Sequence, residues 1–544
     1  NNMLGLMSEQ QLLISSLIEH SGKYHGQTEI SHCLPDGTIE KTNYKKTLFR
    51  IKKLARGLLK LNVKLGDKIG TLAWSNLRHF ELYYGVSGLG AICHTINPRL
   101  FKEQIIFIIN DAADKLLFLD LDFAELISEI SGELNTVEKI IFLCNKEEIP
   151  NKLSFKKPVL CYEELIEHKE ILENWPDFSE NTASSLCYTS GTTGNPKGVL
   201  YTHRSTIIHT LAAANPDAFN LSALDIIMPI APMFHANAWG IPYVATMVGA
   251  KLVLPGRNLD GKSIYHLLES EKVTFTAAVP TIWLMLLEHL ESTNKKINFL
   301  KSCAIGGSAC PKFMIETFLE KYGVQVLHAW GMTETSPLGT VNKPLTKHLG
   351  MSNNELIQLA TKQGRPMYGV DIKITDDKGK ELHRDGSSFG NLWIKGPWIC
   401  SGYLNITKNN THSDDGWFLT GDVATIDSDG YMQITDRVKD VIKSGGEWIS
   451  TIEIENIAVA HPKILEAAVV GVLHHKWDER PLLIIVAKED VSKEEVFAYL
   501  KDKIAKWWMP DDILFLNDLP HTATGKVRKV ELKEKYKTYL TSKG

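Results

Sequence analysis

The sequence predicts an α/β fold: a large N-terminal domain of two doubly wound α/β layers plus a small β-rich subdomain, followed by a small, mobile α+β C-terminal domain. Three observations carry this expectation. Between Lys68 and His328, short apolar runs alternate with amphipathic stretches, the pattern of strand–helix–strand units on parallel sheets. Beyond about Gly364 the texture changes to short segments punctuated by Asp376-Asp-Lys-Gly379, Asp385-Gly386, Asp414-Asp-Gly416 and Asp427-Ser-Asp-Gly430, the turn chemistry of antiparallel β-structure. A chain of 544 residues also exceeds what one ordinary core organises, so more than one domain follows.

The elements follow in order. Residues 44–63 put Leu48, Ile51, Leu54, Ala55, Leu58 and Leu59 on one helical face and Lys45, Lys46, Lys52, Lys53 and Lys60 elsewhere, an amphipathic helix whose lysines read as a solvated face. Strand-like runs at 69–73, 91–95, 116–119 and 139–143 then alternate with helical stretches at 78–90, 102–110 and 124–133. Residues 145–180 read as a surface connection with a short helix around 163–171, since Pro150, Pro158 and Pro176 lie among many charges. A second series places strands at 225–229, 251–254, 273–276, 302–305 and 325–328, with helices at 281–290 and 311–322. After Asp436-Arg-Val-Lys-Asp440 a last segment has strands of its own at 465–470 and 482–486 and a lysine-rich tail. The expected domains are therefore 1–436 and 437–544.

Composition narrows the function classes. Hydrophobic residues at 44% and charged residues at 23% are those of a globular protein, and a net charge of −4 gives no global attraction for nucleic acid. Eight cysteines are scattered without a Cys-x-x-Cys pair or zinc-ligand spacing, so reduced thiols and a cytoplasmic location are expected. No apolar run approaches the length of a membrane span.

The most chemistry-laden stretch is Tyr188-Thr-Ser-Gly-Thr-Thr-Gly-Asn-Pro-Lys-Gly198. Gly191, Gly194 and Gly198 allow close backbone approach; Thr189, Ser190, Thr192 and Thr193 supply hydroxyls, and Lys197 a mobile charge, a set suited to polyphosphate. Apolar runs on both sides place the loop between two strands. A Walker loop needs a strand before and a helix after, and Pro196 stands where that motif has its second glycine, so this is not a P-loop. The whole stretch resembles the signature loop of the adenylate-forming superfamily: acyl-CoA synthetases, firefly-type luciferases and the adenylation domains of peptide synthetases.

The resemblance runs through the chain in the family's order and assigns expected roles. His328-Ala-Trp-Gly-Met-Thr-Glu-Thr335 resembles the block that meets ATP, with Thr333 donating to phosphate and Glu334 holding Mg²⁺; Thr189 is a second expected metal-side oxygen. Mg²⁺ takes few protein oxygens and keeps water and phosphate for the rest, so one carboxylate among hydroxyls suffices. Gly306-Gly-Ser-Ala309 resembles the turn along which adenine lies, engaging Gly307, Ser308 and Ala309. His328, Ala329, Trp330 and Gly331 flank the nucleotide, with Trp330 at the aromatic position against the base. Asp422 of Thr420-Gly-Asp422 and Arg437 resemble the ribose-binding pair, and Lys439 occupies the hinge position.

Further along, Lys443-Ser-Gly-Gly-Glu-Trp-Ile449 resembles the segment that lines the approach of the CoA thiol, implicating Lys443, Gly445, Gly446 and Trp448. Thr522-Ala-Thr-Gly-Lys526 resembles the motif of the catalytic lysine. In Ala231-Pro-Met-Phe-His235-Ala-Asn-Ala-Trp239-Gly, His235 resembles a gate beside the acyl carboxylate and Trp239 the tryptophan that closes a fatty-acid tunnel. Ile241, Tyr243, Val244 and the run Ala278-Val-Pro-Thr-Ile-Trp283 suit an alkyl chain.

The resemblance thus implies a fatty-acid–CoA ligase of the bacterial medium- to long-chain branch, using MgATP to form acyl-AMP and then CoA as acceptor. A carrier-protein-loading acyl-AMP ligase, a CoA ligase for a short-chain or aryl acid, and a non-catalytic nucleotide-binding regulator are the rival readings. Fatty acid, ATP and CoA are the expected partners and nucleic acid is not; transient contact with a membrane surface and a homodimer stay open.

Overall fold

The computed structural model describes residues 3–189, 195–407, 410–445, 447–522 and 526–542. The two expected α/β layers are there. The first sheet runs in the order Val159–Cys161, Lys139–Phe142, Leu116–Leu119, Lys68–Leu72, Ile92–Thr95, Ala183–Tyr188 and Gly198–Thr202. Its strands are parallel except for the last pair, which is an antiparallel hairpin. Each strand of this sheet before residue 120 is followed by a helix whose apolar face covers it, Leu77–Gly88 and Lys102–Ala112 among them, as parallel sheets require.

The second sheet follows the order Arg365–Pro366, Leu338–Val341, Gln325–Gly331, Ser302–Ile305, Phe275–Ala278, Ile226–Pro229, Lys251–Leu254, Glu29–Cys33 and Ile39–Asn43. Its two outermost strands come from the N-terminal hairpin, where Ile30 lies beside Leu252. That placement escaped the sequence reading because pairing between positions so far apart has no local signature. A continuous apolar core, including Ile51, Phe80, Tyr84, Phe118, Ala238, Tyr243 and Leu327, lies between the two layers.

Several boundaries moved, among them three in the large domain's α/β region. The short helix expected around 163–171 is Tyr162–Ile166, the strand expected at 273–276 is Phe275–Ala278, and the helix expected at 311–322 is Lys312–Glu316 continued by a wider π-wound turn at Thr317–Lys321. The β-rich stretch beyond Gly364 is a four-stranded antiparallel sheet of Asp371–Thr375, Gly390–Lys395, Phe418–Ile426 and Met432–Arg437. Arg437 is the last residue of that sheet, paired with Asp422, so we place the unit boundary after it rather than after residue 436. The remaining residues form a sheet of Glu447–Ile449, Ile442–Ser444, Asp478–Ala487, Ile464–His474 and Asp512–Phe515 with its own apolar core around Ile454, Leu483, Ile485 and Ile513.

All eight cysteines are free thiols, and every one but Cys400 is buried. No helix among the described residues is long and apolar enough to cross a membrane. The helix expected from the 44–63 pattern is Tyr44–Lys60, started by the Asn43 side chain accepting from the Lys46 backbone N–H at 2.9 Å.

Its Arg50 joins the first layer together: it donates to both oxygens of Glu81 at 2.7 and 3.0 Å and to both of Glu163 at 3.2 and 2.9 Å. Glu81 has no solvent exposure, and its third hydrogen bond comes from the Tyr162 hydroxyl at 3.1 Å. Arg50→Met should therefore strand a buried charge and destabilise the fold by about 3–5 kcal/mol. Equilibrium denaturation will check this; a loss below about 1 kcal/mol would mean that Tyr162 and water suffice for Glu81.

Candidate active site

The loop at the centre of the sequence reading is closed by its own ends. Ala183–Tyr188 and Gly198–Thr202 pair in register, Tyr188 opposite Gly198. Beyond them, the Thr189 N–H donates to the Lys197 carbonyl at 2.8 Å and the Lys197 N–H to Thr189 Oγ1 at 3.1 Å. The loop is thus set at the end of a hairpin, as expected. Ser190, Gly191, Thr192, Thr193 and Gly194 lie outside the described residues. The Lys197 ammonium sits 5.1 Å from the centre of the Tyr403 ring, a cation–π distance.

Glu334 stands on the short turn Thr333–Thr335 after the strand Gln325–Gly331 and is nearly buried at 6% exposure. That turn is tightly held. A methyl group on Gly331 would come within 1.8 Å of the Pro337 carbonyl oxygen, so only glycine lets the strand pass under the turn. Tyr201 donates to the Thr333 carbonyl at 2.5 Å, and the Cys400 N–H donates to the Glu334 carbonyl at 2.9 Å. Tyr403 donates to Glu334 Oε1 at 2.8 Å, and no other side-chain hydrogen bond to this carboxylate occurs among the described residues. Burial pushes the Glu334 pKa up, opposed by the Tyr403 hydrogen bond and by the fields of Arg437 and Lys197. One buried carboxylate on a turn that also carries the Thr333 hydroxyl offers the oxygen donors that suit Mg²⁺.

Asp422 and Arg437 meet across adjacent strands of the third sheet. Arg437 Nη1 donates to Asp422 Oδ1 at 2.8 Å, while the Trp330 indole N–H donates to Oδ2 at 2.9 Å. Asp422 is 4% exposed. Each of its oxygens keeps a second lone pair, so the pair of ribose hydroxyls expected there has acceptors to meet. Trp330 is itself largely core, one face against Gly339 and the rest among Cys187, Val199 and Tyr403. The sequence reading gave this tryptophan only a stacking face; its N–H has a second task, holding Asp422.

The Gly306-Gly307-Ser308-Ala309 turn presents Gly307 and Ser308 to solvent, with Ala329 buried beneath. Gly307 adopts φ +82°, and a side chain there would also meet Val279 at 2.8 Å. His328 departs from expectation. It is fully buried, accepts from the Cys310 N–H at 3.1 Å and has its Nδ1 3.1 Å from the Ala360 carbonyl. Its ring therefore braces the strand and turns away from the cleft; its pKa is held down to about 4, by burial first.

Lys526 enters the same cleft from the smaller unit. Its backbone closes a turn with Thr522, whose N–H donates to the Lys526 carbonyl at 2.6 Å; Thr524 and Gly525 lie outside the described residues. The residue as a whole is exposed, while its ammonium is surrounded by protein. Enclosure lowers its pKa, with Arg437 and Lys439 lowering it further and Asp422 opposing them. His235 lies within its field: burial first, then Lys526 and Arg99, hold the imidazole pKa down to about 4, so it is neutral at pH 7.

The Lys443 segment lies elsewhere. Lys443 pairs with Asp377 at 3.6 Å and stacks on Trp448 at 5.1 Å, across a hairpin whose Gly445 N–H donates to the Trp477 carbonyl at 3.0 Å. Gly446 lies outside the described residues. The structure thus gathers Lys526, His235, Asp422, Arg437 and Lys439, while Lys443, Gly445 and Trp448 have the other partners just given. Lys439 is exposed, beside Asp440 and in the fields of Arg437 and Lys529.

Trp239 is 5% exposed, its ring against the Gly306 and Gly307 backbone. It ends an unusual turn: Ala236, Asn237, Ala238 and Trp239 have φ of +43°, +53°, +53° and +58°, and Gly240 follows at +74°. Left-handed residues with side chains cost about 1–2 kcal/mol each. Asn237 secures the turn, donating to Ser185 Oγ at 3.0 Å and accepting from Thr95 Oγ1 at 3.3 Å. The expected acyl wall is packed shut: Ile241, Tyr243 and Val244 are buried, with Tyr243 stacked on Tyr83 at 5.5 Å. Trp283 is a correction. It has no exposure, donates to the Ala278 carbonyl at 3.2 Å and packs edge-on to Phe318 in the core beyond the second sheet.

The sequence reading missed Tyr403, Tyr201 and Arg99. Tyr403 reaches Glu334 across 69 positions, and nothing local to the Gly402-Tyr403 pair announces that contact. Long-range ties such as that of Leu404 N–H to the Gly198 carbonyl at 2.8 Å bring it there.

Residues 19–404 match the family model described as AMP-binding enzyme, and residues 453–526 match the AMP-binding enzyme C-terminal domain. The 3-methylmercaptopropionyl-CoA ligase of Ruegeria lacuscaerulensis is 51% identical over 541 residues, 99% of this chain and 100% of the relative. The medium-chain-fatty-acid–CoA ligase of Ectopseudomonas oleovorans is 50% identical, with 98% of each chain covered, and the long-chain-fatty-acid–CoA ligase of Thermus thermophilus 41%, with 98% and 97% covered. Among solved structures, an anthranilate CoA ligase in complex with anthranoyl-AMP has a TM-score of 0.85 at 23% identity, covering 99% of both chains. That likeness shows the fold.

Glu334→Gln preserves shape but removes the charge that a divalent cation needs. The Mg²⁺ concentration for half-maximal pyrophosphate release should rise about tenfold or more, the worth of one lost charged contact. An unchanged magnesium titration would rule out direct ligation.

Proposed function

The chain belongs to the AMP-binding enzyme family, and on that premise we propose that it joins a medium- to long-chain fatty acid to coenzyme A through an acyl-adenylate. The coarser activity, ATP-dependent acyl-CoA ligation, stands on its relatives. The observation that carries the two-step reading is the convergence of Lys526 and His235 with Asp422 and Arg437 in one cleft, beside the hairpin loop of Lys197.

In the first step the carboxylate attacks the α-phosphorus of ATP and pyrophosphate leaves. Two anions must approach, so the useful groups are cations fixed where charge develops. Lys526 sits to bridge the carboxylate and the α-phosphate, and Lys197 to meet the departing phosphates. Asp422 and Arg437 orient the ribose, and the Gly306–Ala309 turn borders the base. Neutral His235 offers a ring nitrogen to the acid without adding charge. Mg²⁺, held by Glu334 with Thr333 and Thr189, would neutralise charge on the pyrophosphate.

In the second step the thiol of CoA attacks the adenylate carbonyl and AMP leaves. Lys443 and Gly445 make their contacts with Asp377 and Trp477 rather than with Lys526, which supports a rotation of the smaller unit about Lys439 between the steps. Carrier-protein transfer remains the rival for this step, and exchange of CoA for a carrier protein in the assay separates them.

The acid is the finer question. Relatives acting on medium- and long-chain fatty acids, and the apolar Ile241, Tyr243 and Val244, support an alkyl chain. A second reading, a short acid such as 3-methylmercaptopropionate, is favoured by the Ruegeria relative and by the closed packing of Tyr243 on Tyr83. AMP formation across 3-methylmercaptopropionate, butyrate, octanoate and palmitate decides: kcat/KM should peak at octanoate or palmitate, and a maximum at either short acid overturns the fatty-acid reading.

Two variants test the steps. Lys526→Ala should lower acyl-AMP formation by about a hundredfold or more, with thioester formation from supplied acyl-AMP within a few-fold of wild type; equal loss in both steps would reject the assignment. If Trp239 closes the acyl path until nucleotide binds, Trp239→Ala should bind octanoate without nucleotide and wild type should not. Calorimetry with and without a non-hydrolysable ATP analogue will show this. A variant that merely melts earlier, about 3–5 kcal/mol less stable with unchanged binding order, marks a core tryptophan instead.

A further inference from the structure

The segment around Tyr403 reaches the phosphate end of the cleft from outside both large sheets. It is tied down after Tyr403 by two bonds: Leu404 N–H donates to the Gly198 carbonyl at 2.8 Å, and the Asn405 side chain donates through Nδ2 to the Asp111 carbonyl at 2.9 Å. Between these ties and the Cys400 N–H bond to the Glu334 carbonyl, the Tyr403 side chain is 9% exposed and meets two functional groups at once. Its hydroxyl donates to Glu334 Oε1 at 2.8 Å, and its ring face lies 5.1 Å from the Lys197 ammonium. Glu334 and Lys197 stand at the ends of strands of different sheets, and among the described residues no hydrogen bond or ion pair joins them directly. The His412 ring packs edge-on against Tyr403 at 5.6 Å and bonds through Nε2 to the Cys400 carbonyl at 3.1 Å, so the phenol cannot turn away without disturbing that strand.

We propose that Tyr403 is a positioning residue that sets the Glu334 carboxylate and the Lys197 ammonium at one spacing, so that a metal-bound polyphosphate meets both without reorganisation. This rests on the reading of Glu334 as the magnesium carboxylate. The physical argument is preorganisation. A carboxylate in a buried site with one oxygen committed to a fixed donor presents the other in one direction, and a lysine with four rotatable bonds gains a resting place over an aromatic face. The two halves of the side chain separate the two roles: the hydroxyl acts on Glu334 and the ring on Lys197.

The test compares wild type, Tyr403→Phe, Tyr403→Leu and Glu334→Gln. Mn²⁺ binding in the presence of a non-hydrolysable ATP analogue, followed by the paramagnetic signal of the free ion, gives affinity without turnover. Pyrophosphate release and thioester formation from supplied acyl-AMP are measured beside it. Tyr403→Phe should weaken Mn²⁺ binding about ten- to a hundredfold, the range for one hydrogen bond to a charged group, and leave the analogue's own affinity in the absence of metal unchanged. Tyr403→Leu should lose that metal-free affinity as well, through Lys197. Thioester formation from acyl-AMP should stay within about twofold in both, because it needs neither polyphosphate nor metal.

If Glu334→Gln weakens Mn²⁺ binding and Tyr403→Phe does not, the positioning role is wrong while the metal reading stands. If neither changes Mn²⁺ binding, the metal reading itself fails. Equal loss of both half-reactions in Tyr403→Phe with a lowered melting temperature assigns Tyr403 to packing alone and overturns the proposal.

Discussion

The site depends on keeping one carboxylate charged inside the protein. Asp422 is 4% exposed, and an ionised group removed from water is tolerated only when its oxygens are met by donors. Arg437 and Trp330 meet one oxygen each. The three residues come from two sheets, so the second and third sheets join through this carboxylate rather than through apolar contact alone. Arg437 is held charged by Asp422 first, and its field reaches both Glu334 and Lys526. A nucleotide whose ribose binds Asp422 therefore touches the joint between layers and the charge balance of the cleft together.

That balance explains how a chain of net charge −4 can recognise a polyanion. Lys197, Arg437, Lys439 and Lys526 are gathered round one opening against Asp422 and Glu334. Without a polyanion the cations repel one another, which is why Arg437 and Lys439 both lower the Lys526 pKa. A bound triphosphate relieves the repulsion, so part of the binding free energy comes from strain already present among the side chains.

Elements with strong periodicity were legible in the sequence. Tyr44–Lys60, the strand–helix alternation and the hairpin around the glycine-rich loop all follow from local pattern. So did the residue types of the site, through short motifs whose spacing is fixed by one turn or strand. What was not legible is contact across the fold. The strand Glu29–Cys33 joining the second sheet, the bond from Tyr403 to Glu334 and the second task of the Trp330 N–H each unite residues with no common local pattern. His328 and Trp283 show the opposite error. Each lies in or beside a motif, yet each has its ring nitrogens engaged by the protein's own backbone, which only the packing reveals.

The left-handed turn at Ala236–Trp239 bears on how such an enzyme can change its diet. Each of its residues with a side chain sits at an energetic disadvantage of about 1–2 kcal/mol that glycine would not feel and a β-branched residue would feel more. Ala236 and Ala238 line no part of the expected acyl path except through Trp239. Glycine at either of these two alanines can therefore shift the resting place of the indole through backbone preference, with every wall residue unchanged. Divergence between relatives that prefer short and long acids has a route here that a comparison of pocket-lining residues would miss, and glycine at the two alanines explores substrate range without adding bulk to the core they share with Tyr243.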